Sequence, residues 1–140
     1  MRSALALARR GLGNVWPNPA VGCVLVSEDS AHRIVGRGWT QPGGRPHAET
    51  EALAQAGDLA RGATAYVTLE PCSHIGQTNP CADALIKAGI SRTVIAAMDP
   101  DPRVSGRGIS RLRKAGIATD VGPLGLEAEA LNSGFWRRQI

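Results

Sequence analysis

Five short apolar runs, separated by segments of helical periodicity, constrain the fold of this chain more than any other feature of its sequence. The runs are rich in β-branched residues and are bounded by Gly, Pro or charged residues, which predicts strands. They cover residues 21–27, 33–39, 64–69, 92–98 and 117–121. Segments with the three-to-four spacing of a helix surround them. These predicted helices cover residues about 2–12, 47–57, 81–89, 107–115 and 125–138.

The order of these segments predicts how the strands pair. The short polar stretch at 28–30 joins the first two strands, which indicates a hairpin. From residue 64 onward strands alternate with helices, and parallel strands need such crossover connections. At 140 residues the chain has the size of one domain. We therefore predict a single α/β domain, a three-layer α/β/α sandwich with a mixed five-stranded sheet.

Composition excludes several functional classes. No apolar run approaches the roughly 18 residues needed to cross a bilayer, so we expect no membrane association. The net charge of +4 is mild, basic residues are spread along the chain, and aromatic residues make up only 4%. This pattern argues against nucleic acid as a partner and favours a small anionic substrate. The odd number of three cysteines indicates a reducing compartment, so we expect a cytoplasmic protein.

Histidine and cysteine are concentrated in HAET at 47–50 and EPCSHIGQTNPC at 70–81. A proline precedes both His47 and Cys81, which predicts that each stands at a helix start. The positive end of a helix dipole there favours a thiolate. Together with Cys72, which follows the third strand, they offer one imidazole and two thiolates. This donor set selects zinc and leaves a fourth tetrahedral position for water.

Glu49 lies two residues after His47, so it is predicted to face the water rather than to bind the metal. A carboxylate in that position carries a proton from the water to a departing amine. The order H-x-E, then P-C, then a second Cys is typical of zinc deaminases. Two alternatives remain: a structural zinc with His74 or Cys23 as fourth ligand, or chance clustering. Cys23, inside VGCVLV, is expected in the core.

The chain resembles the deaminase domain of the bifunctional riboflavin-biosynthesis deaminase/reductases, within the cytidine-deaminase-like superfamily. NPAVGCVLV, HAET, GATAYVTLEPCSH, TNPCADALIKAGI, DPDPRVSGRGISRLRKAGI and LNSGF carry the resemblance over nearly the whole chain. The long stretch between Cys72 and Cys81 marks this branch. The resemblance implies hydrolytic loss of the 2-amino group, as ammonia, from 2,5-diamino-6-ribosylamino-4(3H)-pyrimidinone 5′-phosphate.

The resemblance also implies roles for individual residues. It assigns the zinc ligands to His47, Cys72 and Cys81 and the proton shuttle to Glu49. Further residues are expected around the substrate: Asn18, Ser73 and His74. By its chemistry alone, Asn18 in PNPAV is equally typical of a turn, and Ser73 of an ordinary loop.

Two departures from the family pattern affect the expected substrate site. Gln77 stands where members often carry Lys or Arg, and Thr40 where some carry His; both are expected near the substrate. An amide supplies no charge to an anion. Arg103, Arg107 and Arg111 surround two glycines at a predicted helix start, where backbone N–H groups favour phosphate, and Arg103 and Arg107 are the candidates to replace that charge. The alternative is a turn with solvated arginines.

The expected organisation is one zinc-dependent deaminase domain over residues 1–140 without reductase activity, since no dinucleotide-binding motif follows a strand. Whether the chain is a stand-alone enzyme or part of a longer one stays open. We expect a homo-oligomer, with Trp39 or Trp136 as interface residues or as core. Alternative functions are a zinc-stabilised domain that binds nucleotide without turnover, and a deaminase of another nucleobase or nucleotide.

Overall fold

The computed structural model describes residues 1–73 and 80–139 and contains a five-stranded sheet with helices packed on it. The strands are β1 Gly22–Val26, β2 Ile34–Trp39, β3 Thr64–Leu69, β4 Arg92–Ala97 and β5 Ala118–Val121. The helices are α1 Arg2–Arg9, α2 Ala48–Ala56, α3 Cys81–Lys87, α4 Arg107–Lys114, α5 Gly125–Leu131 and α6 Ser133–Gln139. Short 3-10 turns occupy Pro42–Gly44 and Gly57–Ala60.

The sheet is mixed, as predicted. Its strand order is β2-β1-β3-β4-β5. β1 pairs antiparallel with β2 and β3, whereas β4 pairs parallel with β3 and β5. Every predicted strand is present with bounds shifted by no more than one residue at either end. The alternation of strands and helices after residue 64 therefore identified the parallel half of the sheet correctly.

Helices cover both faces of the sheet, which confirms the predicted three-layer arrangement. Side chains alternate along a strand, so successive residues of β1 enter different layers. Cys23 and Leu25 pack in the core formed with α2, α3 and α4. Val24 instead packs with Ala4 and Leu7 of α1, and α5 covers the same face through Ala128. Cys23 is fully buried, as the sequence predicted.

Two glycines of β2 set the position of α2. A Cβ atom added to Gly36 would overlap the carbonyl oxygen of Ala52, and one added to Gly38 would overlap that of Ala48. The helix therefore lies directly on the backbone of the strand, closer than any side chain would permit. His47, the N-cap residue of α2, is placed by this contact.

The predicted helix 125–138 is wrong in one respect, because Asn132 divides it into α5 and α6. The buried Asn132 side chain accepts a hydrogen bond from the N–H of Ala20 and donates one to the carbonyl oxygen of Ala20, each at 2.8 Å. A short amide side chain engaged in this way favours a break over a helix interior. The predicted first helix, 2–12, likewise ends early, at Arg9.

Surface features bear on the membrane and oligomer predictions. Over residues 1–73 and 80–139 no helix has the length and apolar character needed to span a bilayer. Trp39 and Trp136, the predicted interface residues, are half-buried and pack against core clusters. Trp16 is the exposed tryptophan, at 69%. The homo-oligomer stays a prediction.

Candidate metal and catalytic centre

The structure brings His47, Cys72 and Cys81 together. One potential ligand atom from each residue lies within 4.8 Å of the others. His47 is the N-cap of α2, and Cys81 is the first residue of α3. Cys72 follows β3. Both predicted helix starts therefore meet at one point, where their dipoles favour negative charge.

Hydrogen bonds hold Cys72 against the start of α3. The backbone N–H of Cys81 donates to Cys72 Sγ at 3.1 Å, and the N–H of Ala82 donates to the Cys72 carbonyl oxygen at 3.0 Å. His47 Nδ1 lies 3.3 Å from Cys81 Sγ. The Cys81 amide, which has no partner within the helix, thus stabilises charge on the Cys72 sulfur, and the Ala82 amide holds the Cys72 backbone.

The two cysteines differ in their tendency to ionise. Hydrogen bonds from the Cys81 thiol, the His47 ring and the Cys81 N–H lower the pKa of Cys72 to about 4, against the effect of burial. The bond to Cys72 and burial raise the pKa of Cys81 instead. The bond to Cys72 also raises the pKa of His47. These contacts favour the thiolate form of Cys72, which is the form in which cysteine binds a soft cation.

The donor set fits a zinc ion with an open coordination position. One imidazole nitrogen and two sulfurs are the soft ligands that zinc prefers, and three protein ligands are typical of catalytic sites. Within the part of the chain that the structure describes, no further His, Cys, Asp or Glu joins the group. Cys23, one candidate for a fourth ligand, is core instead. His74, the other candidate, lies outside the described residues.

Glu49 is placed for proton transfer at this centre. It lies in the first turn of α2, is 4% exposed, and lines the same cavity as His47 and Cys72. Burial raises the pKa of its carboxyl group to about 7. A group with a pKa near the operating pH both accepts and returns a proton efficiently.

The cavity has a volume of about 550 Å³. His47, Glu49 and Cys72 form one part of its wall. The loop that follows β4, over residues 99–107, forms another part. Phe135 of α6 also lines it. The space suits a ligand of nucleotide size with polar and charged groups around it.

The predicted substrate residues fall into three groups. Asn18, Thr40, Arg103 and Arg107 line the cavity. Ser73 lines a neighbouring cavity of about 480 Å³, which Arg107 also borders. His74 and Gln77 lie outside the described residues.

Two of the cavity-lining residues also hold its wall in place. The Asn18 side-chain amide donates to the carbonyl oxygen of Gly44 at 3.2 Å. The Thr40 hydroxyl accepts a hydrogen bond from the N–H of Val21 at 3.0 Å. Asn18 therefore lines the cavity and also links two segments of its wall.

The predicted phosphate site at 103–111 is changed by the structure. Arg103 forms an ion pair with Asp101 at 2.7 Å. The backbone N–H groups of Gly106 and Ile109, at the start of α4, donate to the Glu70 carboxylate. Glu70, the first residue after β3, therefore already accepts from two of the amides at this helix start, and the phosphate role of the segment stays a prediction. Arg107 keeps its place as the candidate cation.

Sequence reasoning missed Glu70 and Phe135 as residues of the cavity wall. Glu70 stood within the quoted EPC stretch, but nothing local indicates its partners, which are 29 to 39 residues further along the chain. For Phe135 the sequence offered one signal, which is that it is the single phenylalanine of the chain.

Comparison with known proteins adds family evidence to this geometry. Residues 1–97 match the family model described as the cytidine and deoxycytidylate deaminase zinc-binding region. This match includes His47, Glu49, Cys72 and Cys81. It therefore covers the whole cluster described above.

Two curated relatives match over almost the whole chain. The riboflavin biosynthesis protein RibD of Escherichia coli is 55% identical over 99% of this chain, which spans 37% of that protein. The diaminohydroxyphosphoribosylamino-pyrimidine deaminase of Buchnera aphidicola from Acyrthosiphon pisum is 49% identical over 99% of this chain and 92% of its own length. The chain thus spans little more than a third of the first relative and nearly all of the second.

Two solved structures share the fold. RibD of Acinetobacter baumannii superposes with a TM-score of 0.94 at 48% identity, over 99% of this chain and 38% of its own. The Rib2 deaminase of Aspergillus oryzae, in complex with DARIPP, superposes with a TM-score of 0.79 at 25% identity, over 99% of this chain and 90% of its own. Both agree with the cytidine-deaminase-like architecture predicted from the sequence.

Proposed function

The chain belongs to the cytidine and deoxycytidylate deaminase family, and we propose that it hydrolytically removes the 2-amino group of 2,5-diamino-6-ribosylamino-4(3H)-pyrimidinone 5′-phosphate. The observation that carries this proposal is one cavity that holds His47, Cys72 and Glu49, with Cys81 beside them. The Buchnera relative named for this activity, which the chain matches over nearly its full length, supports the choice of substrate.

We propose zinc as the resident metal, held by His47, Cys72 and Cys81. When bound, zinc supplies Lewis-acid activation of a water molecule for attack on carbon. All three cysteines of the chain are free thiols. Because the two cysteine ligands must stay reduced to bind metal, a reducing compartment such as the cytoplasm suits the site.

Glu49 moves the proton in this scheme. Its carboxylate accepts a proton from the attacking water while the water oxygen bonds to C2 of the pyrimidine. It then donates that proton to the amine nitrogen, so the C–N bond breaks and ammonia leaves. The buried position of Glu49, 4% exposed, keeps bulk water from competing for the proton.

The test of the activity is ammonia release by the purified protein from the diaminopyrimidinone phosphate, with cytidine and guanine as control substrates. We expect turnover of the first compound alone. Turnover of cytidine or guanine at a similar rate would instead indicate a deaminase of another base. Zinc binding without turnover of any of the three would support the degenerate binding domain.

Arg107 is the cation that we propose for the substrate phosphate. It borders both the main cavity and its neighbour. No carboxylate of the described residues pairs with it, whereas Arg111 is paired with Asp83. Arg103 is already paired with Asp101. Among these arginines, Arg107 therefore has its charge available for a phosphate.

Substitution of Arg107 by Ala is expected to raise KM for the phosphorylated substrate by about ten- to a hundredfold, the usual effect of losing a charge-assisted bond. KM for the dephosphorylated substrate should change little. Arg103→Ala is the matched control and should have a much smaller effect. Gln77→Lys should partly restore the Arg107 variant if both cations address one anion. An equal loss on both substrates would place the phosphate elsewhere.

A further inference from the structure

A buried carboxylate that the proposed reaction does not use lies beside the cavity. Glu70 is the first residue after β3, and it is 5% exposed. No Lys or Arg among the described residues forms an ion pair with it. A charge removed from water is costly unless hydrogen bonds replace the lost hydration. The partners of Glu70 therefore indicate what it does.

Three backbone amides of one downstream segment donate to this carboxylate. Oε1 accepts from the N–H groups of Asp99 and Gly106, both at 3.0 Å, and Oε2 accepts from the N–H of Ile109 at 3.2 Å. Asp99 is the second residue after β4, and Gly106 is the N-cap of α4. Both ends of the loop 99–106 are therefore held by a single oxygen atom.

The loop that Glu70 holds faces the cavity. Asp99, Asp101 and Val104 from this loop line it, followed by Arg107. Two short-range bonds lie within the loop: the Asp99 side chain accepts from the N–H of Asp101, and the Asp101 side chain accepts from the N–H of Arg103. The Glu70 carboxylate adds bonds from the exit of β3 to both Asp99 and the start of α4, beyond the pairing of β3 with β4.

The start of α4 also lies directly on the residue after Glu70. A Cβ atom added to Gly108 would overlap the carbonyl oxygen of Pro71. Because Pro71 is followed by the metal-ligand candidate Cys72, any shift between this strand exit and α4 alters the distance from the metal centre to the opposite wall.

We propose that Glu70 is a positioning residue whose carboxylate fixes the substrate-facing loop 99–106 relative to the strand exit that carries Cys72. The role in substrate binding rests on the proposed function, whereas the anchoring of the loop does not. Glutamine is a poor replacement, since it has one acceptor oxygen and its NH₂ group would face a donor N–H. Loss of one acceptor leaves a buried amide without a partner.

The test compares Glu70→Gln with wild type by amide hydrogen exchange, zinc content and steady-state kinetics. In wild type, the amides of Asp99, Gly106 and Ile109 should exchange slowly. In the variant, the amide that faces the new NH₂ group should exchange at least about tenfold faster, while amides of β1 and the zinc content stay unchanged. KM should rise by about ten- to a hundredfold with a smaller change in kcat.

Two further variants control this comparison. Glu127→Gln, at an exposed position of α5, makes the same chemical change and should alter none of the readouts. Glu70→Asp keeps both acceptor oxygens on a shorter side chain, so it should retain more protection and a lower KM than Glu70→Gln.

Other results would overturn the proposal. Rapid exchange of the three amides in folded wild type would show that the carboxylate does not hold the loop, even if Glu70→Gln fails to fold. Unchanged exchange and KM in a folded variant would do the same. Zinc loss with a lower kcat at constant KM would make Glu70 a support of the metal centre instead. Absence of turnover by wild type would refute the proposed function alone, and exchange would still decide the anchoring.

Discussion

Replacement of Glu49 by Gln is expected to lower kcat by about 10²–10⁴-fold while the fold and the zinc content stay as in wild type. The amide keeps the shape of the carboxylate but neither accepts the proton of the attacking water nor returns one to the leaving amine. Glu49 is buried in the cavity wall, 4% exposed, beside the candidate metal ligands. Steady-state ammonia release and metal analysis of the same preparation measure both quantities.

Glu51→Gln is the matched control for this prediction, because Glu51 lies on the same helix two residues further on and does not line the cavity. It should retain wild-type turnover. Retention of more than about a tenth of the activity by Glu49→Gln would contradict a proton-transfer role, since general acid–base catalysis usually contributes more than that. Loss of zinc by Glu49→Gln would point to a ligand role instead.

Local patterns were sufficient to predict most of the fold. The strands were recognised because their apolar residues are buried between two layers of helices. Such burial requires short runs of apolar, β-branched residues, which are visible in the sequence. The break between α5 and α6 could not be predicted in the same way. It depends on the bond between Asn132 and Ala20, 112 residues apart in the chain. The helical periodicity of 125–138 does not indicate that Asn132 bonds to Ala20.

In the candidate site, too, features set by neighbouring residues were predicted, and features set by residues far away in the chain were not. His47 and Cys81 were placed at helix starts by the prolines that precede them, and the structure confirms both positions. The hydrogen-bond acceptor of the amides at the start of α4 could not be predicted. It is Glu70, which lies 36 and 39 residues before Gly106 and Ile109 in the chain. The proposed substrate came from the family resemblance, since a donor set of one His and two Cys is typical of zinc deaminases but does not name their base.

The second large effect is expected at the metal. Cys81→Ser should reduce zinc from about one ion per chain to a small fraction, and turnover should fall with it. A serine hydroxyl is a much poorer zinc ligand than a thiolate. Loss of an outer hydrogen-bond partner already costs roughly 10–100-fold in metal affinity, so loss of a direct ligand should exceed that. Cys23→Ala is the matched control: Cys23 is core, so that variant should keep its zinc.

Thermal unfolding with and without a chelator makes this prediction independent of activity. Because a ligand that binds the folded state raises Tm, chelation should lower Tm for wild type and for Cys23→Ala. It should leave Tm of Cys81→Ser almost unchanged, since little zinc remains to be removed. Equal chelator sensitivity of Cys81→Ser and wild type would place the metal outside the His47, Cys72 and Cys81 group. The Glu49 role would then lose its premise, because the carboxylate would no longer stand beside an activated water.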